Sequence, residues 1–423
     1  MLELQRIHNQ TEAVKKALSN RIENAPEIID QIISLDTQRK SIQSNLDDLL
    51  AKQNTLAKDI GAFFKAGNTD DANKLKGLVS DLKDESQALK DKQTKIIEEL
   101  DQALYLLPNV PNDDVPVGKT ENDNEIVFSK GDIPNLGNNK NPHWDLTSKY
   151  GLIDFERGVK VTGAGFPIYR GKGAKLQRAL IQFFLDEASD AGYEEVIPPH
   201  LVNEASGYGT GQLPDKEGQM YHVTEDDLYL IPTAEVPLTN LYRGDLLTED
   251  ELPVKICGYS PCFRREAGSY GKDVRGLNRL HQFDKVEIIR IEKPENSYAV
   301  LDEMVEHVKG LLEKLELPYR VLKLCTGDLG FTSSITYDLE VFSAAQERWL
   351  EVSSVSNFET FQANRLKLRY KNADKKNQFL HTLNGSALAL PRIMAALIEN
   401  NQTEDGIKIP KALHKYTRFE IID

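Results

Sequence analysis

The chain is 423 residues long, 40% hydrophobic and 28% charged, with a formal net charge of −14. That length can hold two or three domains with a sizeable core. The acidic excess excludes indiscriminate binding to nucleic acid or anionic membrane, while leaving room for a local basic face. Three cysteines, Cys257, Cys262 and Cys325, are too few for a disulfide framework and fit a reducing cytoplasm. No His or Cys pair at zinc spacing accompanies the first two. There is no apolar run near ~18 residues, and the first ten residues, MLELQRIHNQ, lack the apolar stretch of an export signal. The expectation is a cytoplasmic chain that is neither exported nor membrane-spanning. A mean hydropathy of −0.46 points to a long solvated element.

That element comes first. From residue 26 to about residue 104 proline and aromatics become rare, and apolar residues fall at Ile28, Ile32, Leu35, Ile42, Leu46, Leu49, Leu56, Ile60 and Phe63. Steps of three and four are the seam of paired helices, not strand alternation. Arg39 and Gln53 take two of the seam positions. Gly67 and Asn68 suit a helix end and Asp70 a helix start. The pattern resumes at Leu75, Val79, Leu82, Leu89, Ile96 and Leu100. Two helices joined by so short a turn run antiparallel, each about 50 Å long at 1.5 Å per residue. Such a hairpin pairs its own seam, so an arm that touches a large partner is favoured over a dimerising coiled coil.

A proline- and aspartate-rich connector, LPNVPNDDVPVG, follows at 107–118 and divides an arm over 1–107 from a body over 117–423. In the body a helix is expected over 173–190, with Leu176, Leu180, Phe183 and Phe184 on one face and Gly192 ending it. Strands are expected over 193–197, 228–231, 255–259, 285–291, 336–342 and 350–354. Helices do not separate every strand pair, so the body reads as α+β, an antiparallel sheet flanked by helices.

The richest stretch is 263–287, FRREAGSYGKDVRGLNRLHQFDKVE. Arg264 and Arg265 offer fixed two-pronged donors for phosphate or carboxylate. Glu266 shares a strand face with Arg264 and can orient it or accept from an exocyclic amine. Arg279, Phe283 and Glu287 are spaced by four, and Phe283 on a returning strand can stack on a base. Singly, these residues read first as a surface ion pair, a core aromatic and an edge acid. Thr233, Ala234 and Glu235 put a hydroxyl beside a carboxylate, which suits a small ligand with an amine, or simply starts a helix. At Glu351, Val352, Ser353 and Ser354, alternation sends Glu351 and Ser353 to one face and Val352 and Ser354 to the other, unless a bulge intervenes. Carboxylate and hydroxyl oxygens there suit Mg²⁺; a strand-end turn is the alternative. The stretch 384–392, NGSALALPR, precedes a helix reaching about residue 399. Pro391 is tolerated close to a helix start. Arg392 then faces a site or snorkels to solvent.

In this order the segments resemble the class II aminoacyl-tRNA synthetases, specifically the seryl-tRNA synthetase family. The resemblance covers nearly the whole chain. Residues 173–199, 263–266 and 384–392 are similar to the three class II motifs. The Thr233–Glu235 triplet, HQFDKVE, EVSSVSN and the N-terminal hairpin are particular to the seryl branch. The resemblance implies an arm that binds tRNA, a catalytic domain over 117–423, and a two-step reaction. Serine and Mg-ATP give seryl-adenylate, and the seryl group then passes to the terminal ribose of tRNA(Ser), and of tRNA(Sec) where present.

By the same resemblance, Arg264 binds the α-phosphate and the serine carboxylate, Glu266 reads the adenine edge, and Phe283 stacks the adenine against Arg392. Arg279 and Arg392 neutralise the outer phosphates. Arg265, Val352 and Ser353 border the ATP, and Glu351 and Ser354 hold Mg²⁺. Thr233, Ala234, Glu235, Glu287, Asn384 and Ser386 line the serine pocket. A homodimer forms through 173–199. The chemistry is consistent: serine's own carboxylate is the nucleophile, so alignment and charge neutralisation suffice. Two positions depart from the family, which usually has glycine at Ala387 and Pro391; the Ala387 methyl is expected to tighten the backbone approach near ATP. A basic run at 365–376, RLKLRYKNADKK, either meets the acceptor stem or is a solvated loop.

Overall fold

The computed structural model describes residues 1–137, 140–215, 218–265 and 275–423. The chain divides into two compact units, one of residues 2–108 and one of residues 109–423 together with Met1.

In the first unit, two short helices, Leu4–Asn9 and Thr11–Ser19, precede α1 (Ala25–Lys65) and α2 (Thr69–Leu106). α1 and α2 pack together; with 41 and 38 residues each runs to about 60 Å, longer than the seam alone suggested. Gly67 takes a φ of +79°, which a side chain would strain. The cap of the second helix falls two residues earlier than expected: Asn68 is the cap position, its side-chain amide donates to Asp71 at 2.7 Å, and Asp70 lies in the first turn. The two polar seam residues have separate explanations. Gln53 donates across the helix pair to Leu82 O at 2.7 Å and Ser86 Oγ at 2.5 Å, a buried polar rung that fixes register. Arg39 turns to its own helix and pairs with Asp36 at 2.7 Å.

Asp36 is 1% exposed and also meets His8 and Lys40, each at 2.7 Å. Burial pushes its carboxyl up, but hydrogen bonds from Lys40, Arg39 and His8 outweigh burial and hold it at about 2. A depressed carboxyl stabilises the fold above its ordinary value and loses that contribution as pH falls. Its partners are partly solvated, which discounts the pairs. Asp36→Ala should therefore cost ~1–2 kcal/mol at pH 7. In urea titrations of the full chain, the deficit should shrink between pH 4 and pH 2; a constant deficit would assign the effect to packing.

The second unit is built on one eight-stranded sheet: β1 (Glu125–Lys130), β2 (Glu194–Glu195), β3 (Val254–Phe263), β4 (Gln282–Glu292), β5 (Tyr319–Lys323), β6 (Ile335–Ser343), β7 (Arg348–Asn357) and β8 (His381–Ala389). Their order is β1-β5-β6-β7-β8-β4-β3-β2. Every pairing is antiparallel except that of β2 with β3. Three helices cover one face: α3 (Gly171–Asp190), α4 (Ser297–Lys314) and α6 (Leu390–Asn400). A shorter helix, α5 (Thr360–Arg365), lies between β7 and β8 in the chain. Phe183, Phe184, Met304, Val308, Ile393 and Leu397 pack with Val286, Ile288, Val352 and Val355 in one core. Each such side chain stabilises by ~2 kcal/mol on burial. With that face sealed, polar side chains on the other face are left to line cavities. No helix among the described residues is long and apolar enough to cross a membrane.

Candidate active site

Two adjoining cavities lie beside the sheet, the smaller of them bordered by the first residues of α6. The larger, about 890 Å³, is lined by Thr233, Glu235, Arg264, Lys285, Glu287, Asn384 and Ser386 among others. The smaller, about 350 Å³, is lined by Arg264, Arg279, Phe283, Lys285, Glu351, Val352, Ser353, Ser354, Ser386, Pro391 and Arg392 among others. Arg264, Lys285, Glu351, Ser354 and Ser386 border both. Side chains far apart in the chain, from Thr233 to Arg392, thus converge.

Arg264 follows β3 directly. Its backbone N–H donates to His281 O at 2.9 Å, fixing the start of the β3–β4 connection. Its Nε donates to Pro232 O at 3.3 Å, and its guanidinium stands 5.2 Å from the centre of the Phe283 ring. Phe283 and Arg392 both line the smaller cavity, with the Arg264 guanidinium over the Phe283 ring. Arg392 donates from Nε to Asn278 O at 3.2 Å and from Nη1 to Glu351 O at 2.7 Å. Pro391 is the second residue of α6, as its missing N–H allows. Arg265 is exposed and lies over Tyr221 at 6.0 Å, lining neither cavity. Ala234 is buried and also lines neither. Glu266 lies outside the described residues.

Strict alternation fails at one decisive place. Leu339 pairs with Ser353 but Glu340 pairs with Glu351, so β7 carries one extra residue at Val352. This β-bulge brings Glu351 and Ser354 to the same side, where both border both cavities, while Val352 enters the core. Ser353 donates to Ser386 O at 2.6 Å, tying β7 to β8. Ala387 is buried in the core on the helix-covered face, so its methyl does not crowd the cavity as the sequence reading expected. Of the basic run, Arg365 is buried and donates to Tyr208 O and Leu213 O at 3.2 and 3.1 Å. Leu366 and Leu368 are also buried, whereas Lys367, Lys371, Lys375 and Lys376 are exposed.

Three contributors escaped the sequence reading. Lys285 is buried and pairs with Glu287 at 2.9 Å; alternation with Phe283 and Glu287 was a usable signal for it. Gln362 donates to Glu235 at 2.7 Å, a contact with no local sequence signature. Asp338 stands opposite Ser354 on β6, and its Oδ1 has no hydrogen-bond partner. Burial first and Glu351 second push the Asp338 carboxyl well up. Glu235 is raised to about 7, by burial first and by Glu287 second, with Gln362 acting in the opposite direction. The larger cavity therefore offers carboxylates and a hydroxyl to an ammonium-bearing ligand, and the smaller offers arginines and an aromatic ring to a nucleotide.

The comparisons with known proteins agree along the whole chain. Residues 1–111 match the seryl-tRNA synthetase N-terminal domain, and residues 220–401 match the tRNA synthetase class II core domain (G, H, P, S and T). The serine--tRNA ligase of Salinibacter ruber is 50% identical over 99% of this chain and 98% of that protein. That of Chlorobaculum parvum is 44% identical over the full length of both. The seryl-tRNA synthetase of Pyrococcus horikoshii, solved with ATP, superposes with a TM-score of 0.92 at 35% identity, covering 100% of this chain and 99% of that one. With both domain families matched and relatives aligned end to end, the chain belongs to the seryl-tRNA synthetase family of class II aminoacyl-tRNA synthetases.

Proposed function

We propose that the protein is a serine--tRNA ligase, which activates L-serine with ATP and transfers the seryl group to the 3′ end of tRNA(Ser), and of tRNA(Sec) where present. The observation that carries this reading is the pair of adjoining cavities sharing Arg264. One suits a small amino acid and the other a nucleotide, and their shared wall is where the two substrates must react. The serine carboxylate attacks the α-phosphorus and pyrophosphate leaves. A terminal ribose hydroxyl of the tRNA then attacks the seryl carbonyl carbon and AMP leaves.

We assign each residue a part in this reaction. Arg264 binds the serine carboxylate and the α-phosphate together, holding nucleophile and electrophile in line. Glu235 and Thr233 take the ammonium group, and Glu287, Asn384 and Ser386 close the pocket around the hydroxymethyl. Phe283 and Arg392 hold the adenine, Arg392 and Arg279 meet the outer phosphates, and Glu266 reads the base edge. Pre-set positive charge of this kind stabilises the transferring phosphoryl group.

Mg²⁺ arrives with ATP, and Glu351 and Ser354 are the residues to hold it. No cluster of three acidic, His or Cys side chains suited to a metal occurs among the described residues. A one-carboxylate, one-hydroxyl set fits an ion that keeps phosphate oxygens and water as its other ligands. When bound, Mg²⁺ supplies charge neutralisation to the phosphates.

We further infer a cytoplasmic homodimer formed through 173–199, where Ile197 is 87% exposed; a solution mass of one chain would refute the dimer. The hairpin of α1 and α2 serves as the tRNA arm. The exposed lysines of 367–376 supply salt-dependent contacts to an acceptor stem in this reading. The function is tested by serine-dependent ATP–pyrophosphate exchange with Mg²⁺; absence of exchange in a folded preparation would end it. Deleting residues 38–95 should leave exchange within about twofold and lower tRNA charging by at least about a hundredfold. Unchanged charging would remove the arm's role.

A further inference from the structure

Gln362 is buried on α5 (1% exposed), and it uses its whole carboxamide. Nε2 donates to Glu235 Oε1 at 2.7 Å and to Thr210 O at 3.2 Å, while Oε1 accepts from Thr382 Oγ1 at 2.8 Å. The orientation is forced, because a carboxylate and a carbonyl can only accept and the amide nitrogen can only donate. One side chain thereby ties three elements around the larger cavity. Glu235 is the acid placed against the substrate ammonium. Thr210 closes the helix Glu204–Thr210, after which Gly211, at φ +90°, turns the chain toward Gln212 on the cavity wall. Thr382 shares β8, and by alternation its face, with Asn384 and Ser386.

The base of α5 is itself fixed. Its cap residue Glu359 sits at φ +48° and ψ −133°, a conformation that non-glycine residues adopt only when held. Hydrogen bonds hold it: its N–H donates to Asn357 Oδ1 at 2.8 Å, its carboxylate accepts from Tyr298 at 2.6 Å, and its carbonyl accepts from Thr382 N at 3.2 Å. Such anchoring is what a side chain needs if it is to aim another group.

We propose that Gln362 is a positioning residue for serine recognition, holding Glu235 as an ionised, correctly rotated acceptor for the substrate ammonium and coupling it to the loop that carries Gln212. The inference rests on the serine--tRNA ligase reading. Gln362 touches Glu235, not substrate. The charged groups acting on Glu235 from neighbouring elements are Glu287 and Lys285 of β4 and Arg264 after β3. Of these Glu287 opposes ionisation of Glu235, Lys285 and Arg264 favour it, and Gln362 adds a direct hydrogen bond to the charged form.

The test is steady-state pyrophosphate exchange with the full chain, starting from wild type, whose serine-dependent exchange checks the underlying reading separately. Gln362→Met, close in shape but unable to donate, should raise the serine KM at least about tenfold. The kcat and the ATP KM should stay within about twofold. The pH at which serine KM falls should move upward. In a Glu235→Gln background the same change should add less than about twofold, since the two act through one contact. Equal effects in both backgrounds, or a kcat loss without a KM change, would overturn the proposal. Should Gln362→Met fail to fold, Gln362→Glu, which sets two acids against each other, serves instead. An upward shift of its pH profile supports the proposal and a wild-type profile overturns it.

Discussion

Arg264→Ala should lower serine-dependent pyrophosphate exchange by at least about a thousandfold, with thermal unfolding within a few degrees of wild type. Arg264 and Lys285 are the basic side chains that line both cavities among the described residues. Lys285 is already engaged by Glu287 at 2.9 Å, so it makes a poor substitute. On the proposed role, the alanine variant loses a charge that meets both reacting groups, felt more strongly in the transition state than in the ground state. Truncation should therefore reduce kcat and raise the serine KM together. The fold should survive because the backbone N–H of residue 264 still donates to His281 O. Arg264→Lys restores a point charge but not the two-pronged fork and should recover only part of the loss. Exchange near the wild-type rate in Arg264→Ala would remove this residue from the reaction.

The second large effect concerns Glu235 and pH. Its carboxyl is raised to about 7 by burial and by Glu287, so below that pH the empty enzyme holds it neutral. Serine's ammonium keeps its proton across this range and needs the ionised acid. The serine KM should therefore fall as pH rises toward about 7 and then level off, with a change of about a hundredfold between pH 5 and pH 8. The ATP KM should show no such step. The stability linkage has the opposite sign. A carboxyl raised in the fold favours the folded state while it is protonated, and it withdraws that support as pH rises from its ordinary value through about 7. Against an ordinary value of 4.5, the penalty at pH 8 is about 3 kcal/mol. Glu235→Gln should thus make the substrate-free protein more stable at pH 8 while raising the serine KM at least about a hundredfold and flattening its pH profile. A flat profile in the wild type would contradict the role of Glu235.

Both effects come from a site that is costly to the fold. Glu235, Glu287 and Lys285 are charged groups taken out of water, and the buried Oδ1 of the half-buried Asp338 finds no hydrogen-bond partner. Burial of this kind is offset only when opposite charges and hydrogen bonds accompany it. Lys285 does this for Glu287, and Gln362 for Glu235. The remaining imbalance fits a cavity that is completed by an ammonium ion, phosphates and a divalent cation.

The sequence by itself determined the helical hairpin, because a heptad seam over Ile28, Leu35, Ile42 and Leu49 can be satisfied only by a second helix alongside. It also determined the class of the body and most of the cavity wall. Arg264, Phe283 and Glu287 stand near the turn between two strands that must pair, their site roles legible through the family resemblance, and Pro391 fixes where α6 begins. Tertiary structure alone decided the rest, since side-chain direction in a strand depends on the pairing of its neighbours. The extra residue at Val352 exists only relative to β6, yet it sets Glu351 and Ser354 on one side together. The register of β8 hides the Ala387 methyl in the core. Gln362 reaches Glu235 across 127 positions, a distance over which no periodicity carries information. The Arg264 guanidinium over the Phe283 ring, and the engagement of Arg392 by Glu351 O and Asn278 O, likewise depend on packing between distant segments. Local pattern thus specified which elements form and which residue types they offer. Long-range packing specified which of those side chains meet.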